Sequence, residues 1–323
     1  MVGKGCDPYC ILQNHQGEIK EERRMNQNFF KNAKGVTLIE LLIALVISAV
    51  LTAGIYRVFI HQQRSFTTQE QVADMQQNVR VAINRMIREI RMAGFGGKNE
   101  NLNGNNDFIN IFGDVNGYTN IITAENDVTE DGITHDRITV VGAYTQIATI
   151  NANVNQGNTT LTVNYTGSTQ FDDVTRKYMC INGRYNYEVD TAKPPITLAK
   201  TAANPSGTLN ESHLAGEPVF LVRGIQYGLH KDSKNVPVLF RDLYPNTGLS
   251  QKVSVAEYIE DLQFRYVLVD TTEVDFPADP KDVRGVRITV RATTQMSDPQ
   301  LKEGGGFRKR ALTSYVDLRN LRD

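Results

Sequence analysis

The sequence predicts an α+β protein: one long N-terminal helix packed on a mostly antiparallel β domain. Three observations predict it. No proline interrupts the stretch from Val36 to about Ala93. Beyond about Tyr118, short runs alternate apolar and polar residues with a period of two. Clusters of turn-forming residues separate those runs. The chain has 323 residues, enough for one to three domains, and its net charge of −1 gives no overall pull toward nucleic acid.

Residues 1–35 read as a leader. Up to Arg24 the segment is polar, mixed in charge and without periodicity. The stretch from Met25 to Gly35 is a complete short leader with Lys31 and Lys34 and no acid, so Met25 is the expected start. A secretory signal peptide would place its cleavage site after the apolar run, not before it.

The chain is organised around Lys34-Gly35-Val36-Thr37-Leu38-Ile39-Glu40 and the apolar run Leu41 to Tyr56 behind it. Glycine at 35 offers a protease an open peptide bond. Glu40 is the unusual residue. A carboxylate near the centre of a membrane helix costs roughly 2.5–3.5 kcal/mol. Cleavage after Gly35 would create a cationic amine on Val36, one helical turn from Glu40 of the same chain or beside that of another.

Gly35 to Glu40 followed by Leu41-Leu42-Ile43-Ala44 resembles the class III signal of type IV pilins and of the pseudopilins of type II secretion. The resemblance implies that a prepilin peptidase cuts between Gly35 and Val36 and N-methylates Val36, and that Glu40 guides subunit docking. The family usually carries Phe where this chain has Val36. It also implies a single-pass inner-membrane protein with a cytoplasmic N-terminus and a periplasmic C-terminal domain, later built into a surface pilus.

At 1.5 Å per residue, a helix from Val36 to Ala93 would run about 85–90 Å, longer than a bilayer is thick. Residues 36–60 are apolar all round, the expected transmembrane half. Residues 61–93 are amphipathic: Val72, Met75, Val79, Ile83, Met86, Ile87 and Ile90 recur at spacings of three and four. That stripe asks for cover from its own chain. Gly94 and Gly96-Gly97 end the helix. Residues 94–323 form the expected β-rich domain.

The Asn- and Gly-rich residues 98–117 read as a solvated loop. Asn99, Asn101, Asn103 and Gly104 mimic the start of a calcium loop, but Asn110 stands where a bidentate Glu belongs. No metal is expected there. Strands follow at Tyr118–Thr123, Arg137–Val141, Thr159–Tyr165, Tyr178–Ile181, Tyr185–Val189, Pro218–Val222, Ile225–His230, Val236–Arg241, Asp261–Val269, Val286–Thr293 and Leu312–Leu318. Three C-terminal stretches, Tyr258–Tyr266, Val286–Val290 and Tyr315–Asn320, resemble the PilW-type minor pilins, which are related to the J-type minor pseudopilin. Arg88–Phe95 fits the same branch.

No catalytic constellation is present. His15, His61, His135, His213 and His230 stand apart, and there is no nucleophile elbow, phosphate loop or zinc spacing. Cys6 and Cys10 precede the cleavage site, which leaves Cys180 alone and rules out an intramolecular disulfide. The basic residues Arg308-Lys309-Arg310, Arg319 and Arg322 read as a solvated face rather than a nucleic-acid site. The expectation is a non-enzymatic subunit without cofactor. It is a minor pilin that helps initiate or cap a type IV pilus and works with the prepilin peptidase, other minor pilins, the major pilin and the assembly platform. The rivals are a minor pseudopilin and an adhesive or DNA-binding tip subunit.

Overall fold

The proline-free stretch folds as one helix, α1 (Leu38–Arg91), in a computed structural model that describes residues 35–97, 108–248, 251–298, 301 and 304–321. The chain divides into two units after Phe66. In the first unit, residues 35–59 are all exposed, including the apolar Leu38, Leu45, Val50 and Ile55. In the second, α1 buries Met75, Val79, Ala82, Ile83, Met86 and Ile90, with Val72 and Ile87 partly covered. This is the expected stripe with Ala82 added. Each fully buried large side chain contributes about 1.5–3 kcal/mol.

The helix ends where the glycines begin. Gly94 has φ +76°, and its N–H donates to the Val141 carbonyl at 2.8 Å. Gly96 has φ +83°, and a Cβ there would stand 2.8 Å from Cys180 Sγ. Only glycine meets both demands.

A short helix α2 (Phe108–Phe112) interrupts the expected 98–117 loop and buries Phe108 and Ile111. Fourteen strands follow among the described residues. They are β1 (Ile122–Glu130), β2 (Ile133–Ile150), β3 (Thr160–Leu161), β4 (Val163–Tyr165), β5 (Tyr178–Ile181), β6 (Tyr185–Thr191), β7 (Ile196–Leu198), β8 (Pro218–Lys231), β9 (Pro237–Asp242), β10 (Lys252–Glu257), β11 (Ile259–Leu268), β12 (Glu273–Val274), β13 (Val283–Thr293) and β14 (Lys309–Asp317). All pairings between them are antiparallel.

The first sheet runs β1-β2-β8-β5-β6-β7-β3, with β9 on β8, β10 on β9 and β4 on β2; the second runs β12-β11-β13-β14. The largest core cluster joins the α1 stripe to both sheets: Ile138, Tyr227 and Leu239 from the first, Phe264, Ile288 and Val316 from the second. Asp136 on β2, 3% exposed, ties the sheets together. Its carboxylate accepts from Phe264 N–H on β11 at 2.8 Å and from Asp127 N–H at 3.2 Å. Burial pushes this carboxyl above its ordinary pKa, partly offset by those two N–H donors.

Several strands depart from expectation. The expected strand at Arg137–Val141 is the middle of an 18-residue β2, and the expected pair Pro218–Val222 and Ile225–His230 is one 14-residue β8. The expected Tyr118–Thr123 shifts to β1, because Tyr118 instead closes a small bridge with Val115. Three strands, β7, β10 and β12, are additional.

Candidate functional site

Gly35, Val36 and Thr37 lead into α1 as exposed chain outside any helix or strand. A Cβ on Gly35 would meet nothing within 4 Å, so no packing inside the protein demands glycine there. The peptide bond after it is sterically open on the glycine side.

Thr37 caps α1. Thr37 Oγ1 accepts from Glu40 N–H at 3.4 Å, while Thr37 N–H and its hydroxyl donate to Glu40 Oε2 at 3.5 and 3.4 Å. This is a capping box, with long and therefore weak bonds. The carboxylate also sits at the positive end of the helix dipole, which favours it. Glu40 is exposed, and among the described residues no cation pairs with it. Sequence reasoning singled out Glu40 but missed Thr37 as its partner. The Thr-x-x-Glu spacing was the available signal.

The remainder of α1 in the first unit is apolar and exposed, and α1 is the one helix among the described residues long and apolar enough to cross a membrane. Such a surface, contiguous and unpaired, belongs in lipid or against other subunits.

Other candidate groups are engaged elsewhere. Arg308 meets Asp298 at 2.8 Å and Lys309 meets Glu260 at 2.8 Å. Arg310 and Arg319 are exposed, and Arg322 lies outside the described residues. Cys180 is fully buried, its Sγ 3.7 Å from the Gly96 carbonyl, and burial pushes the thiol up to about 12. Cys6, Cys10 and His15 lie outside the described residues. So do Asn99, Asn101, Asn103 and Gly104 of the calcium-like spacing, while Asn110 falls within α2. Among the described residues no three His, Cys, Asp or Glu side chains converge as a metal site would require. His213 is buried between Glu217 (2.9 Å) and Tyr187 Oη (3.3 Å). His135 is buried too, and desolvation holds its pKa below the ordinary value.

A polar knot in the second unit was not anticipated. Glu89 of α1 pairs with Arg241 at 2.7 Å and accepts from Tyr227 Oη at 2.6 Å. Arg85 lies 3.4 Å away. The knot pins α1 to β8 and β9.

Residues 30–56 match the family described as the prokaryotic N-terminal methylation motif. No curated protein and no solved structure matches the chain. The matched stretch contains Gly35, Val36, Glu40 and the apolar run, and it implies processing by a prepilin peptidase and membership in a pilin assembly. With the long apolar helix and the antiparallel β domain, it supports a membrane-anchored type IV pilin- or pseudopilin-like protein, a structural subunit rather than an enzyme.

Proposed function

We propose that this chain is a minor pilin that helps initiate or cap a type IV pilus. One observation carries the finer reading. The three stretches that resemble PilW-type minor pilins, Tyr258–Tyr266, Val286–Val290 and Tyr315–Asn320, lie on neighbouring strands of one sheet, β11-β13-β14. Arg88–Phe95, the fourth, ends the helix against the same core. These stretches therefore form one structural unit, which supports reading their resemblance together.

In this reading the peptidase cuts between Gly35 and Val36 and methylates Val36. Residues 36–60 hold the inner membrane with the N-terminus cytoplasmic, residues 61–93 cover the β domain, and residues 94–323 are periplasmic. Glu40 meets the N-terminal amine of a neighbouring subunit, since each charge is costly alone in a low-dielectric bundle and tolerable when paired. The test is a deletion strain, complemented with the full chain. Loss of surface pili with intact type II secretion supports the minor pilin. Lost secretion with normal piliation assigns the chain to the pseudopilins instead. The pairing of Arg308 and Lys309 with acids weighs against a DNA-binding tip.

A further inference from the structure

The outer strands of the two sheets are not treated alike. β1 shifts register between Glu125 and Val128, and β10 between Ser254 and Ala256. β3 and β12 have two residues each, and β4 has three. Bulges and shortness are how folded proteins stop an edge from recruiting another strand. β14 has neither device. It runs nine residues against β13 with no register shift, no proline and no glycine.

Its polar backbone groups can be assigned to sides. Thr294 N–H donates to the Arg308 carbonyl, and Leu318 N–H to the Arg284 carbonyl. In an antiparallel ladder such pairs alternate. Arg310, Leu312, Ser314 and Val316 therefore turn their N–H and C=O toward β13. Lys309, Ala311, Thr313, Tyr315 and Asp317 turn theirs away, and among the described residues no strand pairs with that side. The strand is uncharged from Ala311 to Val316, and it exposes Leu312 (40%) on one face and Tyr315 (46%) on the other.

We propose that β14 is a docking edge that accepts one antiparallel strand from another subunit of the pilin assembly. The proposal rests on the pilin reading above. Charge fixes the strand's character. At the N-terminal end of β14, Arg308 and Lys309 are neutralised within the domain, while Arg310 is exposed and meets no carboxylate among the described residues. An antiparallel guest puts its C-terminal end there, so that end is acidic and the middle is neutral. The guest's N–H and C=O groups bond the outward set, and apolar guest residues cover Leu312 and Tyr315.

The test is hydrogen exchange on the full-length chain, first alone in detergent and then in the co-purified pilin assembly. The amides of Ala311, Thr313 and Tyr315 should slow by at least about tenfold on assembly, while Leu312 and Ser314 are protected in both states. Unchanged exchange at the outward amides in a recovered assembly overturns the proposal and leaves the pilin reading intact. Failure to recover the chain with any pilin subunit removes the pilin reading itself. The same slowing in the isolated chain on raising its concentration names a second copy as the guest and overturns the partner assigned here. Thr313→Pro removes an outward N–H donor and no backbone bond to β13, giving up only the exposed hydroxyl contact with Thr289 at 3.0 Å, a placement edge strands tolerate. It should keep its melting temperature and lose assembly recovery by about tenfold, equivalent to about 1.4 kcal/mol. Arg310→Glu, a surface change, should reduce recovery likewise. Wild-type recovery of both variants overturns the proposal.

Discussion

The two halves of α1 share one helix, differ in how their apolar residues are arranged, and meet opposite fates. Up to Phe59 the apolar side chains are exposed on every face. Between Met75 and Ile90, Met75, Val79, Ala82, Ile83, Met86 and Ile90 form a stripe that is 3% exposed or less, with Ile87 partly covered beside it and Val81 left outside it. The same backbone conformation thus serves two kinds of partner. An all-round apolar helix can be satisfied only from outside its own domain, by lipid or by like helices. A stripe is satisfied by the chain that bears it. Truncating the stripe therefore damages the fold, whereas truncating the apolar half leaves the fold intact and damages what surrounds it.

The largest expected effect follows from Glu89. Glu89→Ala strands Arg241 in a site only 11% exposed and leaves Tyr227 Oη without its acceptor. Breaking a buried pair in this way costs about 3–5 kcal/mol. Met86→Ala should cost about 2–5 kcal/mol through its cavity. Leu45→Ala, in the other half, should leave the urea midpoint of the β domain unchanged. A matching loss in Leu45→Ala would erase the contrast.

Gly228→Ala sharpens the comparison from the sheet side. Its Cβ would lie 2.8 Å from the ring of Phe240, itself fully buried, and 2.9 Å from Arg137 Cγ. The expected cost is about 1–3 kcal/mol, read from chemical denaturation.

A smaller effect is set by pH. Burial alone would raise the Asp172 carboxyl. The Arg176 backbone N–H and guanidinium and the N–H groups of Thr175 and Val174 outweigh it and hold the carboxyl well below the ordinary range. A depressed folded pKa adds stability that is present above the unfolded value, about 3.9, and is lost as pH falls through the folded one. Asp172→Asn should therefore lose less stability than the parent on going from pH 7 to pH 3. An equal loss would mean that the carboxylate is not held by these donors. Asp136 works in the opposite sense. Its raised pKa means that stability falls as pH climbs from the ordinary carboxylate value through the folded one.

The smallest effect is expected at Cys180. A thiol fully buried and pushed up to about 12 should resist alkylation at pH 8 in the folded protein, and reductant should leave the melting temperature unmoved. Rapid labelling under native conditions would show that the core around Gly96 opens.

What the sequence made legible was local. The stripe of α1, its end at Gly94 and the alternation of β11 and β13 are all written in spacing. So are the turns: Asn116, Asn235 and Asn246 adopt positive φ within the turn-forming clusters Asn116-Gly117, Asp232-Ser233-Lys234-Asn235 and Pro245-Asn246-Thr247-Gly248. What stayed hidden depends on partners far along the chain. Glu89 reads as one more helix carboxylate until Tyr227 and Arg241 arrive from 138 and 152 positions away. β8 reads as two strands because Arg223-Gly224 breaks its apolar run. It stays whole because Thr145 and Tyr244 receive the guanidinium at 3.1 and 3.4 Å. β2 was cut short because its register slips past Gly142 and again after Gln146, and such slips spoil a period of two. The Asp136 clip is invisible for the same reason as Glu89, its acceptor role being to the main chain of Phe264. At the N-terminus the methylation motif was legible as a pattern, whereas the capping role of Thr37 was legible and overlooked.

Glu40 now has two roles that can be separated. In the folded chain it closes a capping box, and in the proposed assembly its charge meets a neighbour's amine. Glu40→Gln keeps the first and removes the second, because a glutamine serves the box equally well. The decisive measurement is recovery of partner pilin subunits with full-length Glu40→Gln, alongside mass spectrometry of the mature N-terminus. The expected result is an N-methylated Val36 in normal yield with partner recovery sharply reduced. Cleavage and partner recovery both at wild-type level would leave Glu40 as a helix cap and contradict its role in docking.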